Sequence, residues 1–290
     1  MTSTTLFTLA SQSSLEPQPE LAHVGLSTRA ADLPVLEEAP ATLESLPPGS
    51  IPQDTLMLGM AADGLPVLLN LYELAPSPIL MVGDRGSGKT ALLQLLARSV
   101  DFCAAPFDKV STDSTRRLRA APTRSQDPGD VQFGVVSNFV DEWSSLDASA
   151  ASMGIWPAFH SSAQGFIHNM LTWADRPHHG RQVLILLLDD LASMVNASYE
   201  AQQDLRWLLL HGADKRVWTV ATLNTLRATR LRPWLGLFRT HIFGFIHQPA
   251  LAQTFTGDAQ ADLASMLPGL EFSLKQENGW LQFQIPAINL

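Results

Sequence analysis

The chain has 290 residues, of which 46% are hydrophobic and 16% charged, with a formal net charge of −9 and a single cysteine. The apolar content excludes a wholly disordered chain. The lone Cys103 excludes a disulfide framework and any multi-cysteine zinc or iron–sulfur site, and the negative charge argues against a monomer that coats nucleic acid non-specifically.

Residues 1–50 carry six of the nineteen prolines and six acidic residues against Arg29 alone. They read as a flexible acidic arm rich in Pro, Ser and Thr, and the apolar residues scattered between Leu21 and Leu36 offer contacts to a protein partner. Residues 51–290 then form the folded domain. Strands are predicted at 55–60 and 65–70 around the turn Ala61-Ala62-Asp63-Gly64, and at 79–82 just after Pro78. A helix follows over 90–99. The stretch 108–130 is polar and basic and reads as an exposed loop. Further strands are expected at 131–137, 182–188, 216–222 and 241–246, and helices over 159–174 and 199–210. The chain closes on a hairpin, 270–274 and 280–285. Strands alternating with helices specify an α/β fold whose parallel sheet is covered on both faces. The longest apolar run, 183–188, has six residues, far short of the roughly 20 a membrane span needs. The N-terminus lacks a basic region followed by a sustained apolar one, so a soluble, cytoplasmic protein is expected.

The segment Gly83-Asp84-Arg85-Gly86-Ser87-Gly88-Lys89-Thr90 fits G-x-x-x-x-G-K-[ST] at every fixed position. A predicted strand precedes it and a predicted helix follows. Its glycines allow backbone N–H groups to turn inward around phosphate oxygens, and the helix N-terminus adds a positive end. Lys89 is expected on the β- and γ-phosphates of ATP and Thr90 on Mg²⁺. The apolar strand 183–188 runs into Asp189 and Asp190, which must lie at its C-terminal edge, where open α/β sheets bind ligands. Asp189 is placed to hold Mg²⁺ through water. Asp190 orients or deprotonates an attacking water, or caps the next helix. Asn224, at the end of the following strand, contacts the γ-phosphate or the water, or caps a loop.

The order of these segments resembles the additional-strand P-loop ATPases, and within them the FtsK/HerA type. Residues 58–60 and 64–67 (LGM, GLPV) resemble the short hairpin that precedes the phosphate loop in that family. Residues 186–194 (LLLDDLASM) are similar to its "VDE.ADLM" segment, and 238–245 (FRTHIFGF) to its "TRIAF" strand. The resemblance runs from about Leu58 to Ile285, with a weakly matched stretch at 104–155. It implies a RecA-like core, a ring of identical subunits such as a hexamer, and hydrolysis coupled to movement of double-stranded DNA. It assigns Lys89 and Thr90 to phosphate and Mg²⁺, Asp189 to Mg²⁺, and Asn224 to the sensor position. Asp190 stands where the family has Glu, one methylene longer, and a misplacement near 1 Å can cost about 10²-fold in rate.

An arginine supplied by a neighbouring subunit completes such sites. Arg206 and Arg239 are the candidates, and a solvated surface arginine is the plain alternative. Arg227, Arg230 and Arg232, and the separate cluster Arg116, Arg117, Arg119 and Arg124, are expected to meet DNA phosphates, a neighbouring subunit or solvent. His178 and His179 have no acidic or cysteine partner at ligand spacing. Two other functions stay open: a weakly active or inactive nucleotide-binding protein that controls docking to a larger complex, and a secretion-type ATPase that moves polypeptide.

Overall fold

The structure, a computed structural model, describes residues 8–9, 52, 55–72, 77–104, 131–177, 181–276 and 279–286. The arm apart from 8–9, the arginine cluster of 108–130, and His178 and His179 lie outside those residues.

The central strands form because their apolar runs are buried on both faces. In β4 (Ile79–Gly83) and β7 (Val183–Asp189) every residue is buried. With a period of two, alternate residues enter different cores. Ile79 and Met81 meet Leu92, Leu93 and Leu96 of α1 (Lys89–Ala104), whereas Leu80 and Val82 belong to the opposite core. Ile167 and Met170 of α3 (Ser161–Asp175) and Leu205 and Leu208 of α5 (Tyr199–His211) fill that second core. A short helix α2 (Ser144–Asp147) joins the first core through Leu146, and α4 (Leu191–Val195) lies on the second. Side-chain caps start three of these helices: His160 accepts from the Ser162 N–H at α3, Ser198 from the Ala201 N–H at α5, and Asp190 from the Ala192 N–H at α4.

Among the described residues the strands make one eleven-stranded sheet. Its parallel half contains β5 (Val131–Ser137), β6 (Ser152–Pro157), β7, β8 (Val217–Asn224), β4 and β9 (Thr240–Phe243). In space these run β9-β4-β8-β7-β5-β6. The predicted hairpins are present as β2 (Thr55–Ala61) with β3 (Pro66–Asn70), and β10 (Glu271–Gln276) with β11 (Gly279–Gln284). They are not separate appendages, because β10 pairs with β9 and β11 with β2, which continues the sheet in antiparallel fashion. The pair β1 (Thr8–Leu9) adds to the outer edge of β3.

Several elements went unpredicted. Strand β6 is a half-buried edge with Gly154 at φ 135°, so it shows no clean alternation. The 3-10 segments at Val140–Trp143 and Thr225–Leu231, and the four-residue α6 (Arg232–Leu235), are too short for a periodic signal. Helix α7 (Pro249–Thr256) starts on a proline and ends at Gly257, at φ 66°.

Candidate nucleotide-binding site

Parallel register brings the C-terminal ends of four strands together. Gly83 of β4 lies beside Asn224 of β8, and Ser137 of β5 lies beside Asp189 of β7. The Asp189 carboxylate is only 8% exposed and gathers three hydroxyl donors. Thr90 Oγ1 donates at 3.1 Å to Oδ1 and 3.3 Å to Oδ2, Ser137 Oγ at 3.2 Å, and Thr222 Oγ1 at 3.2 Å. Burial raises the Asp189 pKa above the ordinary carboxylate value, and the hydroxyls of Thr90, Ser137 and Thr222 pull the other way. Trp143, whose buried indole N–H meets no acceptor in hydrogen-bond geometry, adds a weaker pull in that same direction. Ser137 and Thr222 were missed in the sequence, although each ends a predicted strand next to a charged edge.

The Gly-rich loop is shaped around its lysine. Lys89 Nζ donates to the carbonyls of Gly83 at 3.0 Å and Asp84 at 2.7 Å, and to Ser87 Oγ at 3.1 Å. Burial lowers its pKa from 10.5 to about 8, and the carboxylates of Asp189, Asp84 and Asp190 only partly offset that. Gly86 and Gly88 take φ values of +81° and +86°, which L side chains rarely adopt. A Cβ on Gly88 would also lie 2.9 Å from the backbone of Gly269. Asp84 braces the loop rather than lining it: its carboxylate accepts from the Thr225 hydroxyl and, at 2.8 Å, from the His247 N–H. Arg85 is exposed.

Asp190 sits in the left-handed region at φ 88° and caps α4 through the Ala192 N–H. Its Oδ2 also accepts from Ser193 Oγ at 2.9 Å, from Asn138 Nδ2 at 3.2 Å, and from the Arg227 guanidinium. The pairing with Arg227 within one chain was not legible in the sequence, where Arg227 belonged to a surface cluster. Asn224 caps the 3-10 segment that follows it by accepting from the Leu226 N–H at 3.0 Å. Of the arginines expected to act on a neighbour, Arg206 stacks over Trp234 at 4.6 Å from the ring centroid. Arg239 is exposed at the opposite end of the sheet, and its N–H donates to the Pro78 carbonyl just before β4.

A cavity of about 440 Å³ opens at this edge, lined by Thr90, Asn138, Phe139, Asp189, Asp190, Ser193 and Arg227. A larger one, about 720 Å³, lies in the antiparallel half between Met60, Phe272 and Phe283 and lacks this grouping of polar side chains. The residues fit a magnesium-bound nucleotide. The loop has positive-φ glycines and a desolvated lysine whose present partners are neutral oxygens, and the Thr90 hydroxyl at its end faces the Asp189 carboxylate. Among the described residues no cluster of three His, Cys, Asp or Glu side chains could hold a metal. Mg²⁺ needs no such cluster, since it takes most of its ligands from water and phosphate.

No protein-family model matches the chain. Among solved structures it is similar to ATPases 2 and 3 of EccC from Thermomonospora curvata, in complex with a signal sequence peptide. That match has 14% identity and a TM-score of 0.57 over 86% of this chain and 43% of the other. It is also similar to ATPases 2 and 3 of EssC from Geobacillus thermodenitrificans, with 13% identity and a TM-score of 0.60 over 88% of this chain and 48% of the other. The conjugation coupling protein TcpA of pCW3, in its monomer form with ATPγS, matches at 10% identity and a TM-score of 0.57, over 81% of this chain and 66% of that one. The chain thus spans less than half the length of the EccC and EssC chains. No helix among the described residues is long and apolar enough to cross a membrane. At these identities the likeness is one of fold, and the chain has the RecA-like fold of the FtsK/HerA-type P-loop ATPases.

Proposed function

We propose that this chain binds Mg²⁺-ATP at the sheet edge and hydrolyses it. The observation that carries the reading is the Thr90 hydroxyl donating to the buried Asp189 carboxylate beside a lysine held inside a glycine-rich loop. Lys89 would exchange its loop carbonyls for β- and γ-phosphate oxygens, and the N–H groups of residues 86–90 would supply further donors to the phosphates. Thr90 and Asp189 would hold Mg²⁺, which neutralises charge on the phosphates. In hydrolysis the oxygen of a water bonds to the γ-phosphorus as the bond from that phosphorus to the β–γ bridging oxygen breaks. Asp190 orients the water and takes its proton, and ADP leaves with the bridging oxygen.

The finer reading is a ring of copies that couples hydrolysis to movement of double-stranded DNA in the cytoplasm. Exposed apolar residues beside the site support covering by a second copy: Phe139, which lines the cavity, is 65% exposed and Leu226, next to Arg227, 80%. Arg239, exposed at the far end of the sheet from its own phosphate loop, suits action on a neighbour, whereas Arg206 is held over Trp234 of its own chain. Exposed Arg230 and Arg232 supply positive charge for a polyanion. The acidic arm of residues 1–50 would recruit a protein partner.

A second reading, a weakly active nucleotide-binding assembly protein, is favoured by the crowding of Asp190, which already has four donors. Steady-state ATP hydrolysis with and without long double-stranded DNA, against Lys89→Ala as blank, separates the readings. Several-fold stimulation by DNA that the substitution abolishes supports the motor. Slow hydrolysis indifferent to DNA, with tight ATP binding, supports the assembly role. Stimulation by a polypeptide substrate alone points to secretion-type transport.

A further inference from the structure

We propose that Arg227 is a γ-phosphate ligand supplied within the same chain, and that Asp190 holds it docked until a triphosphate arrives. The proposal rests on the nucleotide-binding reading and deepens it. Three observations carry it. Arg227 is the one cation among the residues that line the cavity, which it shares with Thr90, Asp189 and Asp190. Its guanidinium rests on Asp190 Oδ2, yet its side chain is 57% exposed, so it can leave that carboxylate without first unpacking a core. Its backbone is tied to the phosphate loop, since the 3-10 segment carrying it begins beside Gly83, and Thr225 in that segment donates to Asp84.

Electrostatics gives the pair its function. A triphosphate entering the loop brings its terminal phosphate towards two carboxylates, Asp189 and Asp190. Lys89 and a magnesium ion answer the charge on the loop side, and Arg227 answers it on the cavity side. A planar guanidinium matches phosphate oxygens as well as it matches a carboxylate. A terminal phosphate therefore competes with Asp190 for Arg227, whereas a diphosphate ends short of the cavity and leaves the pair closed. Once the arginine transfers, Asp190 loses one of its four donors and gains a free lone pair facing the cavity. The device thus reports the γ-phosphate and frees the group expected to take the water's proton in one movement.

The test is equilibrium binding of magnesium-bound AMPPNP and magnesium-bound ADP to wild type, Arg227→Ala, Arg227→Lys and Asp190→Asn, with thermal melting to establish that each variant is folded. Arg227→Ala is expected to weaken AMPPNP by about tenfold or more while ADP affinity stays within about twofold. Arg227→Lys should recover only part of the loss. Asp190→Asn, which keeps the cap but removes the competing charge, is expected to bind AMPPNP at least as tightly as wild type. Equal loss of both nucleotides in Arg227→Ala, or loss of neither, overturns the proposal and leaves the nucleotide reading intact. A fall in AMPPNP affinity in Asp190→Asn matching that of Arg227→Ala overturns the competition, because the carboxylate would then be presenting the arginine. Wild type that binds neither nucleotide overturns both this proposal and the reading beneath it.

Discussion

At the residue scale the site is decided by which charges are paired with what. Lys89 is half-buried with neutral oxygens as its hydrogen-bond partners, and its pKa near 8 means that a growing fraction is uncharged above that pH. Bound phosphates favour the protonated form, so nucleotide binding takes up a proton in alkaline solution. ATP affinity is therefore expected to hold steady from neutral pH to about 8 and then to weaken, approaching about tenfold per pH unit. A fluorescent-nucleotide titration across that range checks the slope. Thr90 makes a separate prediction. Because its hydroxyl sits on the Asp189 carboxylate, Thr90→Ala should remove most of the gain in affinity that Mg²⁺ brings, about tenfold, and leave metal-free binding unchanged. Thr90→Ser keeps the hydroxyl and should keep the gain; equal losses in the two variants would show that the methyl group matters instead.

At the scale of elements, the phosphate loop is held by neighbours that are distant in sequence. Asp84 joins the end of β4 to Thr225 after β8 and to His247 after β9. Asp84→Ala strands the buried Thr225 hydroxyl, while the exposed His247 N–H turns to water, and it is expected to cost about 1–3 kcal/mol, read as a lower urea midpoint with unchanged slope. Nucleotide affinity should fall with it, since the brace sets the loop. Ser198, the cap of α5, touches no part of the site, so Ser198→Ala should cost about 1 kcal/mol with no change in nucleotide affinity. The same contrast explains what could be read in advance. Strand 183–188 and helix 199–210 show themselves through runs and periods within a few residues. The bond from Thr225 to Asp84 spans 141 positions and leaves no local trace. Strand β6 and the short helices were missed for a related reason, since one half-buried edge or a single turn repeats too little to show a period.

At the scale of the whole molecule the two halves of the sheet share one core. Phe272, Leu274 and Phe283 of the C-terminal hairpin belong to the same buried cluster as α1, the helix that begins in the phosphate loop. Removing residues 270–286 would delete these side chains from that cluster and strip β9 and β2 of their antiparallel partners. Each large buried side chain contributes about 1.5–3 kcal/mol, against a typical total stability of about 5–15 kcal/mol. The truncated chain is therefore expected to lose its cooperative thermal transition; a melt with an unchanged midpoint would mean that the parallel half stands alone.

The sequence by itself determined the phosphate loop, the acidic end of β7, the α/β alternation and both hairpins, because each is written in adjacent residues with a fixed period or spacing. Lys89 and Thr90 are legible through the spacing of the glycine-rich motif, and Asp189 and Asp190 because a charge at the end of a fully apolar strand has nowhere to go but the edge. Only the tertiary structure decided that the hairpins extend the parallel sheet, that Ser137 and Thr222 join Thr90 on Asp189, and that Arg227 closes on Asp190. Those outcomes depend on parallel register between strands whose order in space differs from their order in the chain. Register is set by how the two cores fill, a property of many distant side chains at once.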